Sequence, residues 1–107
     1  MVNPLAGEVA IRLDGAPHVM KLTLGALAEL ETALDAPSLI DLVERFEAGR
    51  FSTRDVLALI VAGLRGGGWT GGAADLLKVE IGGGPVAAAR AAAELLARAF
   101  QVPGQAG

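Results

Sequence analysis

Apolar residues recur along this chain with two different periods. From Glu8 to Leu13 they alternate, with Val9, Ile11 and Leu13 on one side and Glu8, Ala10 and Arg12 on the other. Period two is the signature of a half-buried strand. Asp14-Gly15-Ala16-Pro17 is turn chemistry, because glycine tolerates positive φ and proline cannot donate to a ladder. His18 to Leu22 then returns. A two-residue turn pairs Ile11 with His18, and a four-residue turn pairs Leu13 with His18. Both registers put Val9, Ile11 and Leu13 on the face of His18, Met20 and Leu22, so the core face is the same in either case. A lone hairpin is marginal in water and must lie on something.

The period changes at Thr23. At about 100° per residue, Leu24, Leu27, Leu30 and Leu34 fall within roughly a third of a helix circumference. Thr23 is suited to cap this helix, its hydroxyl accepting from an orphan amide of the first turn. Glu31 lies inside the leucine arc, between Leu24 and Leu27. An unpaired buried carboxylate is costly, so Glu31 is expected to be partly buried as a structural polar residue. It would accept backbone amides of the hairpin or pair with an arginine such as Arg12 or Arg45.

Asp35-Ala36-Pro37 stops the helix, since the residue before proline is pushed out of the helical region. Ser38 opens a second one, with Asp41 as capping partner and an apolar stripe at Leu39, Leu42, Val43 and Phe46. Gly49 ends it. Ser52 and Asp55 form the next capping pair, and Phe51 and Val56 can staple across it. From Val56 to Leu64 every side chain is apolar or glycine, so this third helix is expected to be the most buried. A glycine-rich break, Gly66 to Gly72, carries the chain's one tryptophan, Trp69, which is expected to fold back as a lid. A short helix over about 73–81 follows, with Ala73, Leu76 and Leu77 along one side. After Gly82-Gly83-Gly84, Pro85 suits the first turn of a last helix reaching about Phe100.

The pattern predicts an α+β fold: an N-terminal β-hairpin followed by a bundle of about five short helices. All 107 residues are expected to form a single domain, with the hairpin at about 7–22, the helical part at about 23–100 and a frayed tail at 101–107. In the last helix Val86, Ala89, Ala93, Leu96 and Phe100 form one apolar stripe that can dock on the domain. Arg90, Glu94 and Arg98 form a charged seam. On the far side Ala88, Ala91, Ala92, Leu95, Ala99 and Val102 form a second apolar strip. Burial on both sides is the commoner arrangement. The alternative makes that strip the candidate partner-binding surface, where small residues let another helix approach, from a second copy or another protein.

Composition narrows the chemistry. Cysteine and tyrosine are absent and there is one histidine. His18 has no carboxylate at triad or metal-ligand spacing and reads as a hairpin histidine half-covered by apolar neighbours. Glu31 and Asp35 could form a carboxylate pair, but no further metal ligands accompany them. Gly66 to Gly71 formally matches G-x-G-x-x-G; the fingerprint needs a preceding strand within a βαβ unit, and here a helix precedes it. The region 38–64 is helix, turn, helix, with Arg50, Arg54 and Arg65 nearby, yet the helix that would enter a groove is apolar throughout. A net charge of −3 argues against coating nucleic acid, and no apolar run reaches the roughly 18 residues of a membrane span. The N-terminus has neither a basic start nor an apolar stretch of signal-peptide type, so a cytoplasmic protein is expected. No catalytic residue, metal site or cofactor is expected, and no enzymatic activity.

The string Leu24-Gly25-Ala26-Leu27-Ala28-Glu29-Leu30-Glu31, after a hairpin beginning Asn3-Pro4-Leu5-Ala6-Gly7-Glu8-Val9, resembles the tail-assembly family of gene transfer agents and related long-tailed phages. The later pieces fit in order: Leu39 to Phe46, Val56 to Leu64 ending in Arg65-Gly66-Gly67-Gly68, and the alanine-rich last helix. The resemblance covers nearly the whole chain. Members are described as tail assembly chaperones, and sometimes as tail tube proteins. The chaperone role implies that the partner is the long helical tape measure protein, held soluble until tail tube protein polymerises around it. The alternatives are a tube component retained in the particle, possible self-association included, and a small regulatory or ligand-binding domain.

Overall fold

The computed structural model describes residues 7–34 and 39–100. Two strands, β1 (Val9–Leu13) and β2 (Ala16–Met20), precede five helices: α1 (Leu24–Leu34), α2 (Leu39–Glu47), α3 (Thr53–Gly66), α4 (Ala73–Leu76) and α5 (Gly84–Ala99). The fold is α+β, an antiparallel hairpin followed by helices. α3 lies at the centre, touching α1, α4, α5 and β2, while α5 also packs on β1 and α2.

The hairpin takes the tighter of the two registers, pairing Ile11 with His18. Asp14 and Gly15 both have positive φ, 50° and 83°, as a two-residue type I′ turn requires. Ala16 and Pro17 therefore belong to β2 rather than to the turn. Pro17 sits opposite Arg12, one step beyond the turn-flanking pair and so at a non-hydrogen-bonded position, where a missing N–H removes no ladder bond. Val9, Ile11, Leu13, Met20 and Leu22 are buried, and His18 is half-buried.

Both outer edges of the hairpin are covered. On the β2 side, the Lys21 amide donates to Gly63 O at 2.9 Å, and the last turn of α3 lies directly on the strand backbone. A Cβ on Gly66 would stand 1.9 Å from Lys21 O, and one on Gly67 2.0 Å from Val19 O. On the β1 side, Ile81 bridges to Leu13. The Asp14 amide donates to Glu80 O at 2.8 Å and the Gly82 amide to Arg12 O at 3.0 Å, while the Glu80 amide donates to Asp14 Oδ1 at 2.9 Å. The expected helix over 73–81 is thus corrected. α4 stops at Leu76, the chain turns and bends through 77–79, and the short strap Val79–Ile81 meets β1 in a single bridge at Ile81. Its β-branched residues suit a strand, and the strap satisfies backbone groups that β1 would otherwise leave open. Leu76 is buried, but Leu77 is 72% exposed rather than packed.

In α1, Thr23 caps as expected, its hydroxyl accepting from the Ala26 amide at 3.1 Å. The buried face, however, is rotated from the leucine arc. Ala26 and Leu30 are buried with Leu27 and Leu34 beside them, whereas Leu24 is 85% exposed. Glu31 is exposed, so its expected burial is overturned. Once Leu24 drops out of the arc, Glu31 lies roughly 100° from the Leu30 direction and needs no buried partner. Arg45, one of its expected partners, is bound elsewhere. Asp35 and the capping Ser38 lie outside the described residues. α2 buries Leu42 and closes on Gly49 (φ 72°), with Gly49 donating to Phe46 O at 3.2 Å and Arg50 to Arg45 O at 2.8 Å. This is the paired bonding of a Schellman motif.

Of the expected docking stripe of α5 only Leu96 is buried, with Ala89 half-buried, and the opposite strip supplies most of the packed face. Ala88, Ala91, Ala92 and Leu95 are buried and Ala99 is half-buried, against Val86 at 70% and Phe100 at 42% exposure. The candidate partner strip is core, and Val102 lies outside the described residues. Leu95 of that strip packs closely on α3: a Cβ on Gly63 would come within 2.7 Å of Leu95 Cδ1. Of the charged seam, Glu94 pairs with Arg98 at 3.1 Å, and Arg98 also donates to Glu8 O.

Two substitutions test this packing. Gly66→Ala, which in a free helix would gain up to about 1 kcal/mol, is expected to lower stability by about 2–4 kcal/mol in denaturant melts, because its Cβ meets a backbone carbonyl. Leu95→Asp is expected to remove more than about 4 kcal/mol, abolishing the cooperative thermal transition.

Candidate functional site

The N-terminal half of α3 is less covered than its C-terminal half. Val56 and Leu57 are half-buried there, although they belong to the unbroken apolar run. Together with Ile60 they form one wall of an open cleft of about 580 Å³. The strap residues Val79, Glu80 and Ile81 form a second wall, and Pro85, Val86, Ala88 and Ala89 at the start of α5 form the third. That volume lies within the roughly 300–1,000 Å³ of sites that enclose a ligand's apolar groups.

Each wall is held by a local device. The α3 start carries a full capping box: the Asp55 amide donates to Ser52 Oγ at 3.1 Å and the Ser52 amide to Asp55 Oδ2 at 2.8 Å. The other Asp55 oxygen accepts from Arg45 of α2 at 2.9 Å. Asp55 is only 3% exposed, and its carboxylate is satisfied within the fold, so it binds nothing in the cleft. Phe51, at the cleft mouth, stacks on Phe46 with ring centroids 4.5 Å apart and planes 6° apart; the stapling aromatic thus reaches back to α2. At the α5 start, Gly83 and Gly84 both take positive φ, and Gly84 donates to Ile81 O at 2.9 Å. That turn joins the strap to the helix.

Sequence reasoning assigned these residues differently. Ala88 is the one member of the candidate partner strip that reaches the cleft, at its floor, while Val86 and Ala89, assigned to docking, line its open side. Val56, Leu57, Ile60, Val79 and Ile81 were not singled out as a site. The available signal was a third helix apolar on all sides, offering more apolar surface than neighbouring elements cover.

The glycine-rich break and the start of α1 border a smaller cavity of about 380 Å³, with the charged Glu29 and Arg65 in its walls. Trp69 is half-buried and packs on the core, folded over Gly71, where a Cβ would lie 2.4 Å from its ring. Arg65 ties the loop down, donating to Glu29 Oε1 at 2.9 Å and to Gly71 O at 3.2 Å. Among the described residues no cluster of three or more histidine, cysteine, aspartate or glutamate side chains could hold a metal ion. Nor is any helix there long and apolar enough to cross a membrane.

A family model described as phage tail tube protein, GTA-gp10, matches residues 6–102. The chain belongs to that family. The match spans both strands and all five helices, including the strap and the cleft. No curated protein and no solved structure matches the chain. As a member of a gene transfer agent and phage tail family, the chain has its setting among tail proteins.

The Arg45–Asp55 link fixes the cleft mouth and can be measured. Arg45→Met and Asp55→Ala are each expected to destabilise the fold, Asp55→Ala by about 2 kcal/mol through loss of cap and ion pair together. The double variant should cost less than the sum of the singles, leaving a coupling of about 1–3 kcal/mol in a double-mutant cycle.

Proposed function

We propose that this chain is a tail assembly chaperone that covers an apolar helix face of the tape measure protein before the tail tube forms around it. The observation that carries this reading is the apolar cleft between α3, the strap and α5. Its walls are side chains rather than open backbone, because the strap already occupies the neighbouring edge of β1. An extended segment laid there would leave its amides without partners, whereas a helix satisfies its own and presents only side chains. A tape measure helix, apolar along one face and awaiting its tube, has that form. The partly covered hairpin edges point the same way: the strap and α3 take up edge groups at Arg12, Asp14 and Lys21 on which identical copies could otherwise join.

The family description favours a second reading, a tube subunit retained in the particle. Particle composition separates the two: a chaperone is absent from purified tails, and a tube subunit is present in many copies.

Val86→Asp places a charge on the open wall of the cleft at a position already 70% exposed. It is expected to leave the melting temperature within a few degrees of the parent and to weaken capture of co-expressed tape measure protein at least about tenfold, roughly 1.4 kcal/mol. Undiminished capture by a folded Val86→Asp protein overturns the proposed docking.

A further inference from the structure

One residue on the wall of the cleft is charged. Glu80 lines it among apolar neighbours and is exposed. Its backbone is fully engaged in the strap, its amide bound to Asp14 Oδ1 and its carbonyl accepting from the Asp14 amide. Its carboxylate enters no ion pair among the described residues. Asp14, whose carboxylate holds the Glu80 amide, is also exposed, which adds to the negative charge at this end of the cleft. The cations nearest along the chain, Lys78 on the strap and Arg12 in β1, form no ion pair with either of them. An apolar cleft with an uncompensated acidic lip selects by charge as well as by shape, since an acidic group brought there meets repulsion and a basic one meets attraction.

We propose that the helix occupying the cleft carries a lysine or arginine at one end of its apolar stripe, and that Glu80 pairs with it and sets the direction in which the helix lies. This rests on the reading of the cleft as a helix-docking site. The pair is at the rim, so it acts on orientation and partner choice more than on affinity.

The test uses the full chain and two synthetic amphipathic peptides of equal length, about four helical turns. Both carry leucines at i, i+3 and i+7; one has lysine flanking the stripe, the other glutamate. The lysine peptide is expected to bind more tightly, roughly two- to fivefold at low salt, and the gap should shrink at high salt. Glu80→Gln should remove the preference and Glu80→Lys should reverse it. Because the Glu80 side chain makes no hydrogen bond or ion pair among the described residues, both variants should melt like the parent. Val86→Asp should weaken both peptides alike. Equal binding of the two peptides to the parent, or a preference unmoved by Glu80→Lys, overturns the role of Glu80 while leaving the cleft in place. Failure of both peptides to bind, or binding indifferent to Val86→Asp, overturns the cleft itself.

Discussion

The close approach of α3 to the backbone of β2 is the contact from which the rest of the arrangement follows. An α-helix and a strand edge normally keep a side chain's distance from each other. Here Gly66 and Gly67 remove that spacer, and the Lys21 amide finds its acceptor in Gly63 O. Gly63 in turn lets Leu95 press against α3 from the other side. One glycine-bearing turn thereby seals a sheet edge, aligns the central helix with the hairpin and seats α5. With only two strands, the hairpin has no independent stability, so this contact stabilises the sheet as much as the helix.

A helix anchored so tightly at one end projects its other end beyond the hairpin. The N-terminal half of α3 has apolar side chains on faces that the hairpin cannot reach. α5 and the strap cover part of that surface and leave the remainder as the cleft. The strap has two roles: its backbone completes β1, and its Val79 and Ile81 side chains form a wall. Cleft and covered sheet edge therefore arise from the same short segment between two glycine clusters.

The Asp55 node gives the cleft a firm rim. A carboxylate that caps its own helix and pairs with Arg45 of α2 joins two helices whose sequence connection to each other is short. The stacked Phe46 and Phe51 rings fill the apolar side of the same junction. Walls held by such links lose less conformational entropy when a cleft is occupied than free segments would.

Local signals settled much of this structure in advance. The alternation of Val9, Ile11 and Leu13, the Thr23 cap, the Ser52–Asp55 capping box and the Gly49 stop depend on neighbours within a few residues, and each formed as the sequence implied, while the choice between a two-residue and a four-residue hairpin turn stayed open until the structure took Asp14-Gly15. The choices between faces belonged to the tertiary structure. The arc of α1 turned away from Leu24 and Glu31 because α3 met Ala26 and Leu30. α5 buried the strip holding Leu95 because Gly63 left room on α3 for that leucine side chain. Lys78-Val79-Glu80-Ile81 alternates like a strand, but the bridge that Ile81 makes needed the edge of β1, sixty-odd residues earlier in the chain, to lie beside it. The cleft was the least legible feature of all. Amphipathic periodicity shows that a face is apolar, but which apolar faces remain uncovered depends on how many elements compete for them, and that is decided only when the whole chain has packed.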